Sequence, residues 1–288
     1  MKEFIISTDS TVDLPQEYLK ENNISIHPLF YIIDGEEYIP GVSDMPVEEF
    51  YNSMKNGNMP TTSASNPKYI MEDMKKHINE GYDILHISFS SGLSSSYNNA
   101  SICAQDIMEE IPGSKIIVID SLCVTVGQGI LVYKAVEMKK QGKTIEEIAE
   151  WIKENNKHVI QECIVDDLFH LVRGGRLSKS TAIVGTMLRI QPMIHVDDDG
   201  KLSVIGKVRG RKKALNTLAD NIEEKIKDSR IDMAFIAHGN CIEDAEYLAE
   251  QIKNKYNVKN VMINDLCPTI GAHTGQGAVV AAYFGNER

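Results

Sequence analysis

The sequence predicts an α/β fold in two domains, an N-terminal parallel-sheet α/β domain over residues 1–157 and a C-terminal mixed-sheet α/β (α+β) domain over 158–288. Three observations carry the prediction. A chain of 288 residues with 42% hydrophobic content can bury more core than one domain of ordinary size. Its first half alternates short β-branched runs with helical segments, the pattern of a parallel sheet covered by helices. Its second half inserts a hairpin among such units, which calls for a mixed sheet.

Phe4–Thr8 reads as the first strand, and Leu14–Asn22 as a helix with Asp13 as its cap. Ile24–Ile33, rich in β-branched and aromatic residues, reads as one strand, and Asp34-Gly35 as a hairpin turn leading into Tyr38-Ile39. Pro46–Lys55 is helical. Asn66 and Pro67 form a cap and first-turn pair, and Gly81 ends that helix. Ile84–Phe89 (strand), Tyr97–Glu110 (helix), Lys115–Asp120 (strand) and a helix through Lys140 follow. Thr144 and Glu147 are placed as a capping box for a helix to Asn155, with the domain boundary near Asn156.

In the second half Val159–Val165 is a strand, with helices around Asp166–Leu171 and Ser178–Leu188. Pro192–Val196 and Leu202–Val208 flank the turn Asp198-Asp199-Gly200. Helices at Arg211–Lys227 and Glu243–Tyr256 alternate with strands at Met233–His238, Val261–Asp265 and Val279–Tyr283.

A formal net charge of −11 disfavours nucleic-acid phosphates and anionic membranes as partners, so any bound anion needs a local site. The five cysteines are scattered without a C-x-x-C pair, so reduced thiols and no metal site are expected. No signal-peptide core or long apolar run is visible, which gives a cytoplasmic expectation with no integral membrane association.

Three segments carry chemistry. Pro60–Pro67 contains Thr61, Thr62 and Ser63, and Ser90–Tyr97 contains Ser91, Gly92 and Ser94. Hydroxyls and free backbone N–H groups at a helix entrance make an anion site without a cationic side chain, although each loop alone also reads as an ordinary cap or turn. Pro268–Gly277 surrounds His273 with three glycines within seven residues, a tight path that directs an imidazole at a ligand. Basic clusters stand at Arg173–Arg176 and Lys207–Lys213. Between them Ile183, Val184, Met187, Leu188 and Ile190 read as core or as the wall of an apolar pocket. The G-x-S-x-G elbow, the phosphate loop and the dinucleotide fingerprint are missing. A hydrolase triad from Ser94, His273 and Asp9 or Asp120 stays open, because geometry defines a triad.

Taken in order, the stretches Asp9–Pro15, Pro60–Ser63, Ser90–Ser94, Asp120-Ser121, Leu168–Arg176, Gly206–Arg209 and Ile270–Gly275 resemble the DegV family of bacterial fatty-acid-binding proteins. The resemblance spans residues 9 to about 277. It implies one long-chain fatty acid held between the two domains. It also implies a separate fatty acid kinase that phosphorylates the bound carboxylate to an acyl phosphate for phospholipid synthesis. Thr62 and Ser94 would then hold the carboxylate, with Thr61, Ser63, Ser91 and Gly92 beside them. His273 would adjoin the head group, and Arg173 the pocket entrance. Arg173, Lys207 and Arg209 would face the kinase. On this reading the chain needs no cofactor and is not itself an enzyme, and His273 is the residue available to assist a composite site. The alternatives are a serine-type acyl-ester hydrolase and a lipid-binding sensor or store without a kinase.

Overall fold

The computed structural model describes residues 2–178, 190–226, 233–256, 258, 260–286 and 288. The N-terminal region opens with β1 (Phe4–Asp9), α1 (Gln16–Glu21), β2 (Ser25–His27), β3 (Tyr31–Ile33), β4 (Glu36–Tyr38), α2 (Val47–Lys55) and β5 (Thr61–Thr62). It continues through α3 (Pro67–Asn79), β6 (Asp83–Ser88), α4 (Ser96–Glu110), β7 (Ile116–Asp120), α5 (Thr125–Lys140) and α6 (Ile145–Asn155). Strands β2-β1-β6-β7 make a four-stranded sheet in which every pairing is parallel. The expected caps are in place: Asn66 accepts from Lys68 N with Pro67 in the first turn, and Thr144 and Glu147 close a full capping box.

The C-terminal region comprises β8 (Val159–Ile164), α7 (Phe169–Arg173), β9 (Ile190–Val196), β10 (Leu202–Arg209) and α8 (Arg211–Lys225). Then come β11 (Met233–His238), α9 (Ile242–Tyr256), β12 (Asn260–Asp265), α10 (Pro268–Thr274) and β13 (Val279–Phe284). Its six-stranded sheet runs β10-β9-β8-β13-β11-β12 and is mixed, since only β11 and β12 pair in parallel. The Asp-Gly hairpin joins β9 to β10, with Gly200 at φ 71°.

Helix α5 explains how the two sheets share an interior. Ten of its residues are buried, on all sides of the helix, as an internal helix requires. It packs on β1 and β6 of one sheet and on β8, β11 and β13 of the other. The largest apolar cluster accordingly runs from Phe4 and Leu85 through Leu131 to Val280.

Three expectations need correction. Ile24–Ile33 is not one strand: Pro28, which has no N–H to give a ladder, interrupts it. The first piece, β2, joins the parallel sheet, while β3 forms a small antiparallel sheet in the order β4-β3-β5. Asp13 does not cap α1, which starts at Gln16 after Pro15. At φ 45° the buried Asp13 carboxylate instead accepts from Cys267 N (3.0 Å) and Thr125 Oγ1 (2.5 Å), tying the two regions together. The glycine-bracketed segment at Pro268 is a helix, α10, and not an open loop. The predicted helix Ser178–Leu188 lies, beyond Ser178, outside the described residues, as do Ile183, Val184, Met187 and Leu188.

Candidate functional site: an apolar cavity with a hydroxyl and imidazole mouth

A cavity lies between the two sheets, with about 820 Å³ of empty space when the open solvent at its edge is counted in. Its walls are largely apolar: Leu29, Phe89 and Leu93 come from the N-terminal region, and Ile194, Val196 and Val280 from the C-terminal sheet. The polar lining includes Thr62, Ser63, Ser94, Arg176 and His273.

Three loops place these polar groups. Thr62 lies on β5 opposite Tyr31, and Ser63 N donates to Phe30 O, so the small sheet fixes the first loop. The Ser90–Ser94 loop leaves the end of β6, the usual ligand-binding edge of a parallel sheet. Its Ser90 Oγ donates to Gly200 O at 2.7 Å. A Cβ on Gly92 would lie 2.7 Å from Asp199 O, so glycine lets this loop touch the β9–β10 turn. Behind both loops sits the buried Asp9 carboxylate, which accepts from Phe89 N (2.6 Å), Ser88 Oγ (3.0 Å) and Ser65 Oγ (3.2 Å).

His273 arrives on α10, which packs on α2 and β5. Gly271 permits that packing, because a Cβ there would stand 2.6 Å from Tyr51 Oη. The imidazole Nε2 and Thr62 Oγ1 share a hydrogen bond of 2.7 Å. Its Nδ1 is buried without a hydrogen-bond partner among the described residues. Burial, followed by the charges of Arg176, Arg173 and His170, pushes the His273 pKa down to about 4, so the ring is neutral at pH 7. The polar lining therefore offers a neutral imidazole and hydroxyls in a positive field, an arrangement that receives an anion by hydrogen bonding.

Thr62, Ser63, Ser94 and His273 thus meet at one cavity. The other expected ligand residues stand outside its lining. Thr61 and Ser91 are exposed, and Ser91 N donates to Asp120 Oδ1. Gly92 serves the turn contact. Arg173 spans two carbonyls, donating from Nη2 to Pro60 O (2.7 Å) and Ala272 O (3.1 Å), which links the Thr62 loop to α10. Among the described residues the arginine that lines the cavity is Arg176, to which the sequence alone assigns no role; it donates from Nε to Leu93 O at 3.2 Å. Lys207 and Arg209 are exposed on β10, an edge strand whose Leu202 reaches the cavity.

The hydrolase triad is not assembled. Ser94 Oγ is hydrogen bonded to Ser96 Oγ at 2.9 Å, while His273 Nε2 is engaged by Thr62. No carboxylate among the described residues orients the His273 ring, since its Nδ1 has no partner. Asp120 Oδ1 accepts from Ser91 N and Leu122 N instead.

The model of the family described as "Uncharacterised protein, DegV family" matches residues 3–286. The chain belongs to the DegV family. A DegV domain-containing protein of Clostridium perfringens is 40% identical over 289 residues, covering 100% of this chain and 99% of the relative. One from Lactococcus lactis is 34% identical over 277 residues, covering 96% of each. Among solved structures, a DegV lipid-binding protein from Thermotoga maritima superposes with a TM-score of 0.88 at 27% identity, covering 100% of both chains. A fatty-acid-binding DegV protein from Streptococcus agalactiae gives 0.87 at 28% identity, again with 100% of both chains covered. Among the described residues of this DegV protein no helix is long and apolar enough to cross a membrane.

Proposed function

We propose that this DegV protein is a cytoplasmic carrier that holds one long-chain fatty acid in the inter-sheet cavity and presents its carboxylate to a separate kinase. The kinase converts the carboxylate to an acyl phosphate that feeds phospholipid synthesis. The observation that carries the reading is the hydrogen-bonded pair Thr62–His273 in the lining of a largely apolar cavity. Relatives described as lipid- and fatty-acid-binding proteins support the ligand class.

The energetics agree. Each buried methylene contributes about 0.8 kcal/mol, so a long acyl chain supplies roughly 10 kcal/mol before ordering costs. The head group then needs its hydrogen bonds satisfied and little more. Thr62, Ser94 and the neutral His273 provide them without a bidentate arginine clamp, which leaves a carboxylate oxygen free to attack a phosphoryl donor. Lys207 and Arg209 on the exposed edge strand β10 suit docking to an acidic kinase surface.

The test is reconstitution. The lipid-loaded protein, ATP, magnesium and a bacterial fatty acid kinase are expected to yield acyl phosphate, and the protein without kinase none. His273→Ala is expected to retain the lipid and lose most of the acyl phosphate. Acyl phosphate made by the chain alone, or at an undiminished rate with His273→Ala, would refute the assignment of roles.

A further inference from the structure

The parallel sheet buries an unusual polar face. Ser7 and Asp9 on β1, Ser25 and His27 on β2, and His86 and Ser88 on β6 lie side by side, through the pairings Asp9↔His27, Ser7↔Ser25 and Ser7↔His86. Helix α3 covers this face and contributes Asp73. Asp9, His27 and His86 are each at most 1% exposed.

Their hydrogen bonds point outward from a common centre. His27 Nε2 is bonded to Asp73 Oδ2 at 3.1 Å, and Ser25 Oγ donates to the same carboxylate. His86 Nδ1 pairs with Ser7 Oγ at 3.0 Å. Each ring therefore uses one nitrogen on a fixed partner. The other nitrogens, His27 Nδ1 and His86 Nε2, are buried and have no hydrogen-bond partner among the described residues. One nitrogen of each ring and a carboxylate oxygen of Asp9 all lie within 4.8 Å of one another, with His86 Nε2 3.9 Å from Asp9 Oδ1. An ionised carboxylate only accepts, so Asp73 places the His27 proton on Nε2 and turns the Nδ1 lone pair inward. With Ser7 accepting from Nδ1, His86 likewise turns its Nε2 lone pair inward. Two unpartnered imidazole nitrogens then meet the Asp9 carboxylate, itself held by Phe89 N, Ser88 Oγ and Ser65 Oγ, in a dry interior.

We propose that Asp9, His27 and His86 bind a divalent transition-metal ion of the zinc class. Two imidazoles and a carboxylate are its usual donors, and a water completes the shell. Asp73 and Ser7 already hold the outer nitrogens in the way that metal-bound histidines are held. The charge balances as well, because Asp9 and Asp73 offset a 2+ ion. The rings now stack with centroids 4.4 Å apart. Donors around a tetrahedral zinc stand roughly 3.3 Å apart for its 2.0–2.1 Å bonds, so both rings tilt inward on loading. The ion would cross-link β1, β2 and β6 and fix Asp9, which anchors the Phe89 and Ser65 ends of the head-group loops. This site does not depend on the ligand assigned to the cavity.

The site is sealed, so the test loads it during folding. The full-length protein is unfolded with a chelator, refolded with zinc chloride, desalted and assayed for zinc by mass spectrometry. About one zinc per chain with a raised Tm is expected. His27→Gln and His86→Gln should lose the ion, and Asp73→Asn should weaken it about 10- to 100-fold. Wild-type protein that refolds without taking up zinc overturns the proposal and leaves the cluster holding a proton. Full retention by a folded His27→Gln variant also overturns it, since the ion would then sit elsewhere. Should the variants fail to fold, X-ray absorption of the wild-type zinc decides: two imidazoles with oxygen support the site, and sulfur or a single imidazole contradicts it.

Discussion

Thr62 Oγ1 and His273 Nε2 lie 2.7 Å apart although 211 residues separate them in the chain. The contact exists because β5 and α10 pack together, one from each end of the sequence. It places a hydroxyl and a neutral imidazole side by side in the lining of a largely apolar cavity. Thr62→Val preserves shape and deletes the hydroxyl, so fatty acid affinity should fall about 5- to 10-fold, the net worth of about one hydrogen bond. Displacement of a fluorescent fatty acid measures this, and an unchanged affinity would remove Thr62 from the head-group site.

Gly174 backs the imidazole so closely that a Cβ there would overlap His273 Nδ1. Gly174→Ala is therefore expected to displace the ring and, like His273→Ala, to retain the lipid while losing most of the kinase-dependent acyl phosphate. The global fold should persist, because the two nearest atoms belong to the His273 side chain, which can rotate, and the His170 carbonyl stands farther off at 3.2 Å. The acyl phosphate assay alongside lipid titration and circular dichroism separates these effects.

The pH dependence follows from the same ring. His273 has a pKa of about 4 in the folded protein against an ordinary 6.5. Between those values the unfolded chain binds a proton that the folded chain refuses, so stability rises with pH across this window. The contribution is intact above pH 6.5 and is lost as the pH falls towards 4, by at most about 3 kcal/mol. Denaturant unfolding from pH 7 to 4 should show a shallower decline in His273→Gln than in the wild type. Parallel curves would place the His273 pKa near its ordinary value.

Much of this architecture was legible in the sequence, where signals are local. Asn66-Pro67 and Thr144 with Glu147 announce helix starts through bonds made within one turn, and the structure holds both. Non-local features were harder to read. The run Ile24–Ile33 looks like a single strand until Pro28 divides it between two sheets. Helix α10 was hidden because Gly271 within it and Gly275 just after it read as loop residues, whereas Gly271 is there to admit Tyr51. Thr62, Ser63, Ser94 and His273, which the resemblance marks as head-group residues, line the cavity. Spacing cannot say which arginine of Arg173-Gly174-Gly175-Arg176 turns inward; only the packing of α7 on α10 decides that. Asp9, His27 and His86 come from three strands and form no motif, so a sequence scan for ligand spacing passes over them.

Lys207 and Arg209 project from the exposed side of β10 and touch no cavity residue's role. Lys207→Glu with Arg209→Glu should leave lipid affinity unchanged while reducing kinase-dependent acyl phosphate formation 10-fold or more, on the order expected for reversing two interface charges. The wild-type reaction should weaken with added salt and the variant should respond less. Equal rates for both proteins would move the docking surface elsewhere.

The most direct measurement is denaturing extraction of the purified protein, followed by mass spectrometry of the released small molecules. The account predicts a long-chain fatty acid at close to one per chain, and its identity would define the chain preference. A protein that releases nothing and also takes up no added fatty acid would contradict it.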